Sequence, residues 1–185
     1  MTTPLVIIGI VLLLFIVMYN SLVGKKNNVE NAFGSVDVML KKRYDLIPNL
    51  VETVKQYMTH EKETLTQITE LRTQAMTGGM SSNEKVALEN QLTKALGGIM
   101  IAVENYPDLK ASNNFEMLQR SWNEAEEQIS AARRSYNAAV TTYNNGVEML
   151  PTNVIAKMLN YTRKEVFEIP ETERQNISAK SLFDN

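Results

Sequence analysis

The stretch "VDVMLKKRYDLIPNLVETVKQY" (residues 36–57) decides how this chain is built. Val36, Leu40, Tyr44, Ile47, Leu50, Val51 and Val54 recur by threes and fours, the spacing of one buried helical face. Two features interrupt that face: the basic triplet Lys41, Lys42 and Arg43, and Pro48. A proline there deletes the hydrogen bond to the Tyr44 carbonyl and crowds the preceding turn. Asp45 is placed to cap a restarted segment, and Asn49 to offer its amide to the freed carbonyl. The apolar stripe keeps its phase on both sides, so the reading is one helix kinked at Pro48, with Pro48 as a hinge. The triplet reads as a solvated face, with Asp37 and Asp45 one turn to either side for pairing. No aromatics are interleaved with it to stack nucleic-acid bases.

Upstream, "PLVIIGIVLLLFIVMYNSLVG" (residues 4–24) carries no charged side chain. About twenty residues at roughly 1.5 Å each match the roughly 30 Å hydrocarbon layer. A buried core helix would show a polar face, and a signal peptide a basic start and a small-residue cleavage site; neither is present. Residues 1–24 are therefore expected to be a transmembrane anchor. Lys25 and Lys26 follow it directly and no basic side chain precedes it, which predicts an outside N-terminus and a cytoplasmic domain. Tyr19, Lys25 and Lys26 are the expected membrane-interface residues, with lipid as their partner.

Downstream, the apolar face is expected to run on through Met58, Leu65, Ile68, Leu71 and Ala75 until "TGGM" (residues 77–80), where two glycines favour a turn. Ser81 and Glu84 have capping-box spacing for a second helix. The third helix has the cleanest stripe, with Trp122, Ile129, Tyr136 and Tyr143 as expected core and alanines as narrow positions between them. The fold class expected is all-α: an N-terminal transmembrane helix followed by an antiparallel, long-helix, four-helix up-and-down bundle of coiled-coil type. Residues 25–160 form the bundle, with helices at about 27–76, 84–106, 111–149 and 152–160. Residues 161–185 are a C-terminal tail, partly disordered over its last fifteen residues, with Val166, Phe167 and Ile169 as docking side chains.

The 185 residues, a net charge of −2, one histidine and no cysteine narrow the functions. Disulfides, thiol nucleophiles and cysteine metal sites are excluded, and nothing marks the chain as a nucleic-acid binder. His60 precedes a glutamate, but Thr64 stands where a zinc motif needs its second histidine, so it reads as an exposed helix residue. Glu124, Glu126 and Glu127 read as a solvated acidic face rather than paired catalytic carboxylates. Phosphate-binding and nucleophile-elbow motifs are missing. The expectation is no catalytic residue, no metal and no cofactor.

"ENAFGSVDVMLKKRYDLIPNLVETVKQYMTHEKETL" (30–65), "YPDLKASNNFEMLQ" (106–119) and "RRSYNAAVTTYN...LPTNVIAKML" (133–159) together resemble the LemA family of bacterial membrane-anchored proteins. Phe33 stands where that family often has tryptophan, and "NYTRKEVFEI" is more charged than its usual stretch. The resemblance implies a non-enzymatic cytoplasmic helical bundle on one anchor at the bacterial inner membrane, and an association with membrane quality-control proteases. The function expected is a scaffold that assembles with itself or docks partners; the alternative is a module holding a small molecule or metal in its bundle.

Helix lengths give the last expectation. A first helix over 27–76 would extend roughly 75 Å from the membrane. A second helix covers only its distal half, and a third runs parallel to it in an up-down-up path. Val29, Phe33, Val36 and Leu40 are then left without partners in their own chain, a candidate interface of a homo-oligomer.

Overall fold

The computed structural model describes residues 2–168. They form a long N-terminal helix, α1 (Thr2–Val54), then α2 (Lys62–Met76), α3 (Ser82–Ala102), the single turn α4 (Pro107–Lys110), α5 (Asn113–Glu148) and α6 (Thr152–Met158). A 3-10 turn, Val103–Asn105, joins α3 to α4. Helix is the only regular secondary structure among the described residues. The expected disorder at the end of the chain, and Ile169, lie outside them.

The first correction concerns the helix expected over 27–76. It is two helices: α1 ends at Val54 and the chain reverses through residues 55–61. The amides of Tyr57 and Met58 both return to the Val54 carbonyl, and Met58 is tucked into the core. Arg72 on α2 then lies beside Tyr44 on α1, so α2 doubles back along α1. No glycine or proline marks this turn. Its trace in the sequence is a gap: between Met58 and Leu65 the stripe misses a full turn, across "THEKET".

Within α1, Pro48 does not end the helix. Its ring nitrogen has no hydrogen for the Tyr44 carbonyl, and Arg72 Nε fills that role at 2.7 Å. Asn49, the expected partner, is not the donor. An accommodation made by another helix explains why the helix persists through a residue that usually breaks it. Arg72→Met is expected to cost about 1–3 kcal/mol, since a buried carbonyl loses its donor. In a Pro48→Ala background the backbone supplies its own N–H, and the same substitution should cost clearly less. Equal costs in chemical denaturation of the two backgrounds would refute this account of Pro48.

The turn between α2 and α3 has Gly79 at φ 96, a conformation that favours glycine. Both halves of the capping box are made: Glu84 N donates to Ser81 Oγ, and Ser81 N donates to Glu84 Oε2 at 2.7 Å. α3 then runs parallel to α1, with Lys85 paired to Asp37 and Glu89 reaching Arg43 and Tyr44. Beyond it, Tyr106 donates to Glu61 at the far end.

α5 returns along the whole domain. Glu126 meets Arg43, Tyr136 packs on Phe33 with ring centroids 5.6 Å apart, and Gly146 lies against Leu22 and Lys25. α5 is thus antiparallel to α1, not parallel as expected, because the reversal at 55–61 adds one pass. Its 36 residues, about 54 Å at the usual rise, bring it down to the end of the apolar run. A side chain at Gly146 would crowd Leu22 and Lys25, so glycine permits the approach there.

This geometry overturns the premise of the oligomer interface. Val29, Val36 and Leu40 are buried within their own chain and Phe33 is half-buried against Tyr136. α5 covers the stripe that a parallel, shorter-reaching helix would have left bare. Trp122, Ile129, Tyr136 and Tyr143 are buried in the same core. By contrast, residues 5–17 of α1 hold a run of exposed Leu, Ile, Val and Phe side chains, in a stretch long and apolar enough to cross a membrane.

Candidate functional site

Two polar constructions stand out in an otherwise apolar interior. The first surrounds Arg43, the last residue of the basic triplet. Lys41 and Lys42 are exposed, whereas Arg43 is 0% exposed, so the expected wet face holds only two of the three. Arg43 grips Glu126 of α5 with both arms, Nε to Oε1 at 2.8 Å and Nη2 to Oε2 at 2.6 Å. Its Nη1 donates to Glu89 at 3.2 Å and to Thr93 at 3.0 Å, both on α3. Glu89, also 0% exposed, accepts from the Tyr44 hydroxyl and has Arg133 of α5 at 3.7 Å. Thr93 Oγ takes a second donor, Arg133 Nη2, at 3.0 Å.

Two arginines and two glutamates leave this cluster electrically neutral. Desolvation makes such a set worthwhile only when the charges are matched. Here the two guanidiniums offset the two carboxylates, although the buried Nε of Arg133 has no hydrogen-bond partner among the described residues. Burial, and then the charge of Arg43, lowers the Arg133 guanidinium to about 10, still cationic at neutral pH. The cluster ties α1, α3 and α5 together at one level. Its carboxylate is enclosed and already engaged by Arg43 and Tyr44, which suits a structural clasp rather than a base awaiting a substrate. Glu126 thus belongs to the clasp and not to a solvated acidic face; Glu124 and Glu127 are exposed. His60 is exposed but lies in the reversal after α1, not in a helix. No group of three or more histidine or acidic side chains among the described residues is placed to hold a metal.

The second construction holds residues 164–168, extended chain in a position assigned to the tail. Asn144 and Asn137 on α5 each clasp one strap residue twice. The side-chain amide of Asn144 donates to the Lys164 carbonyl while its oxygen accepts from Lys164 N, both at 2.9 Å. Asn137 does the same with Phe167, again at 2.9 Å. From α3, Asn83 accepts from Glu165 N and Asn90 from Glu168 N. Each asparagine pair is seven residues apart on its helix and addresses strap positions three apart. Seven helical residues rise about 10.5 Å, and three extended ones cover about 10 Å. The two spacings therefore keep register. Phe167 anchors the strap, buried edge-on to Tyr136 and 4.9 Å from the Arg133 guanidinium.

Sequence reading missed Glu89, Arg133 and the asparagine ladder. A buried ion pair looks like any surface charge until its partners are known. The heptad spacing of Asn83 with Asn90, and of Asn137 with Asn144, was the available signal.

Tyr136 Oη donates to the Glu165 carbonyl, and burial pushes its phenol up to about 12; burial, reinforced by Glu89, raises Tyr44 further. A folded value above the ordinary 10 means the unfolded chain gives up its proton first. Stability is then full below pH 10 and falls as pH rises from 10 towards 12, by about 1.4 kcal/mol per pH unit for one such group. Alkaline unfolding should be less steep in Tyr136→Phe. An identical slope in the wild type and the variant would refute this.

At the start of the domain, Lys25 Nζ donates to Ser21 Oγ at 2.9 Å. Lys26 pairs with Glu30 at 2.9 Å and stands 5.8 Å from the Tyr161 ring. Tyr19 is exposed on α1.

Comparison with known proteins places the chain. The profile of the LemA family matches residues 32–180. The chain is 27% identical over 175 residues to Protein LemA of Metamycoplasma hominis, covering 95% of this chain and 80% of that one. It is 24% identical over 190 residues to Magnetosome protein MamQ 2 of Paramagnetospirillum magneticum, covering 89% and 70% respectively. A similar protein, Magnetosome protein MamQ of Magnetospirillum gryphiswaldense, is 22% identical over 178 residues, covering 83% of this chain and 63% of the relative. With the profile covering most of its length, the chain belongs to the LemA family.

Proposed function

We propose that the protein is a non-enzymatic scaffold: a four-helix, up-and-down bundle held at the cytoplasmic face of the bacterial inner membrane, where it docks partner proteins or further copies of itself. One observation carries the reading. α1 runs unbroken from Thr2 to Val54, so the apolar span and the first core helix are one continuous helix with no linker between them. A tethered enzyme or mobile sensor would be served by a linker there; a fixed platform is served by a continuous helix. The enclosed, charge-matched clasp supports the same reading, because it stiffens the bundle without offering a reactive group. Support also comes from relatives named as magnetosome proteins rather than for a reaction. Lys25 and Lys26 after the span support the cytoplasmic orientation.

The test is site-specific photo-crosslinking of the full-length protein in native membranes, with probes at the exposed positions Lys41, Val38, Met117 and Glu124. Discrete protein adducts at one or more positions are expected, and His60→Ala or Glu127→Gln should leave them unchanged. Lipid adducts and free monomer alone at every position would overturn the scaffold reading. Orientation is tested separately: protease added outside intact cells should spare residues 30–160, and their digestion with an inner-membrane control protected would reverse it.

A further inference from the structure

α6 sits at the wrong end of the molecule for an ordinary surface helix. Ile155 and Ala156 are buried against Leu22 of α1, with Met18 and Leu159 packed around them. Met18 and Leu22 belong to the last turns of the charge-free run that ends at Gly24. If residues 5–24 fill the hydrocarbon layer, Leu22 and Met18 lie about 3–9 Å inside its edge, at 1.5 Å per residue. The short helix is therefore level with the boundary between acyl chains and headgroups.

Its other side is apolar and uncovered. Met149 is 61% exposed, Leu150 78%, Val154 55% and Met158 66%. Val154 and Met158 are four apart, on a face turned away from the one that Ile155 and Ala156 bury. Lys157 follows on the polar side, exposed and without an ion-pair partner among the described residues. The nearby Glu148 is already paired with Arg163, which removes one unmatched negative charge from the approach to lipid. Four large apolar side chains exposed within residues 149–158, two in the turn before α6 and two on it, are unusual on a wet surface. Beside the exit of a membrane span they continue the apolar surface of the span itself.

We infer that residues 149–158 are a second membrane contact, a foot whose Met149, Leu150, Val154 and Met158 insert among lipid chains at the headgroup boundary while Lys157 meets anionic phosphates. The foot rests on the reading of α1 as a membrane anchor. With α1 as one support and α6 as another, the bundle is held against tilting and against rotation about α1. Lipid is the occupant because the patch adjoins the span at the same depth.

The absence of native cysteine makes the test direct. Val154→Cys and Met158→Cys are each labelled with an environment-sensitive dye in the full-length protein, reconstituted in vesicles of phosphatidylcholine and phosphatidylglycerol. Leu12→Cys serves as the span control and the distal, exposed Met117→Cys as the water control. Quenching by iodide at 154 and 158 should be several-fold weaker than at 117; lipids brominated near the headgroup should quench both sites, and lipids brominated deep in the acyl chains should quench position 12. Iodide quenching equal to that at 117, with position 12 quenched by lipid, would overturn the foot and leave the anchor standing. Protection from both iodide and brominated lipid would also overturn it, by showing that protein covers the patch. Failure of lipid to quench position 12 would instead remove the anchor and the foot with it.

Discussion

Arg43→Met is expected to lower the unfolding free energy of the full-length protein by about 3–5 kcal/mol, the usual result of taking one partner from a buried ion pair. The reason is the imbalance left behind. Glu89, fully enclosed, would keep only the Tyr44 hydroxyl and a guanidinium 3.7 Å away. Glu126 would lose its two-armed partner. Arg43→Lys should also be costly, because an ammonium cannot reach Glu89, Glu126 and Thr93 in one planar fork. Neutralising the stranded carboxylate tests the mechanism. In Arg43→Met with Glu89→Gln, Arg133 and Glu126 again balance. The double variant should therefore be more stable than the sum of the two single losses by about 0.5–3 kcal/mol. Urea unfolding in mild detergent, followed by the fluorescence of the single tryptophan, measures all three. Strictly additive losses would mean that the cluster does not act as a unit.

The second large effect lies in the apolar core. Trp122→Ala should cost about 3–5 kcal/mol, through lost burial and the cavity it leaves. Trp122 is only 4% exposed in the α5 stripe that includes Phe115, Leu118, Ala125 and Ile129. Trp122→Phe keeps most of the volume and should lose markedly less. Helix circular dichroism must serve as the probe, since the fluorophore itself is removed. An unchanged midpoint for Trp122→Ala would show that this position contributes no packing.

Several features were legible because they are written in consecutive residues. A charge-free run of some twenty residues, the capping box at Ser81 and Glu84, and the unbroken stripe of α5 each require only local chemistry. The reversal at 55–61 was not legible, because the apolar phase on either side resembles one continued helix and no glycine or proline interrupts it. From that one missed turn came the wrong direction for α5 and the bare stripe at Val29, Val36 and Leu40.

Pro48 shows the division most clearly. Its sequence predicts a broken backbone hydrogen bond, and the bond is indeed not made; what repairs it is Arg72, on another helix. The residue pairs that define the clasp and the strap are likewise distant in the chain: 46 residues separate Arg43 from Glu89, 83 separate it from Glu126, and 78 separate Asn90 from Glu168. By itself the sequence determined the helical class, the apolar span and which helix faces would be buried, because periodicity and charge exclusion are properties of a single segment. Only the tertiary structure decided what each face meets, which charges leave water and where α6 rests, because a period defines a face but carries no information about its partner.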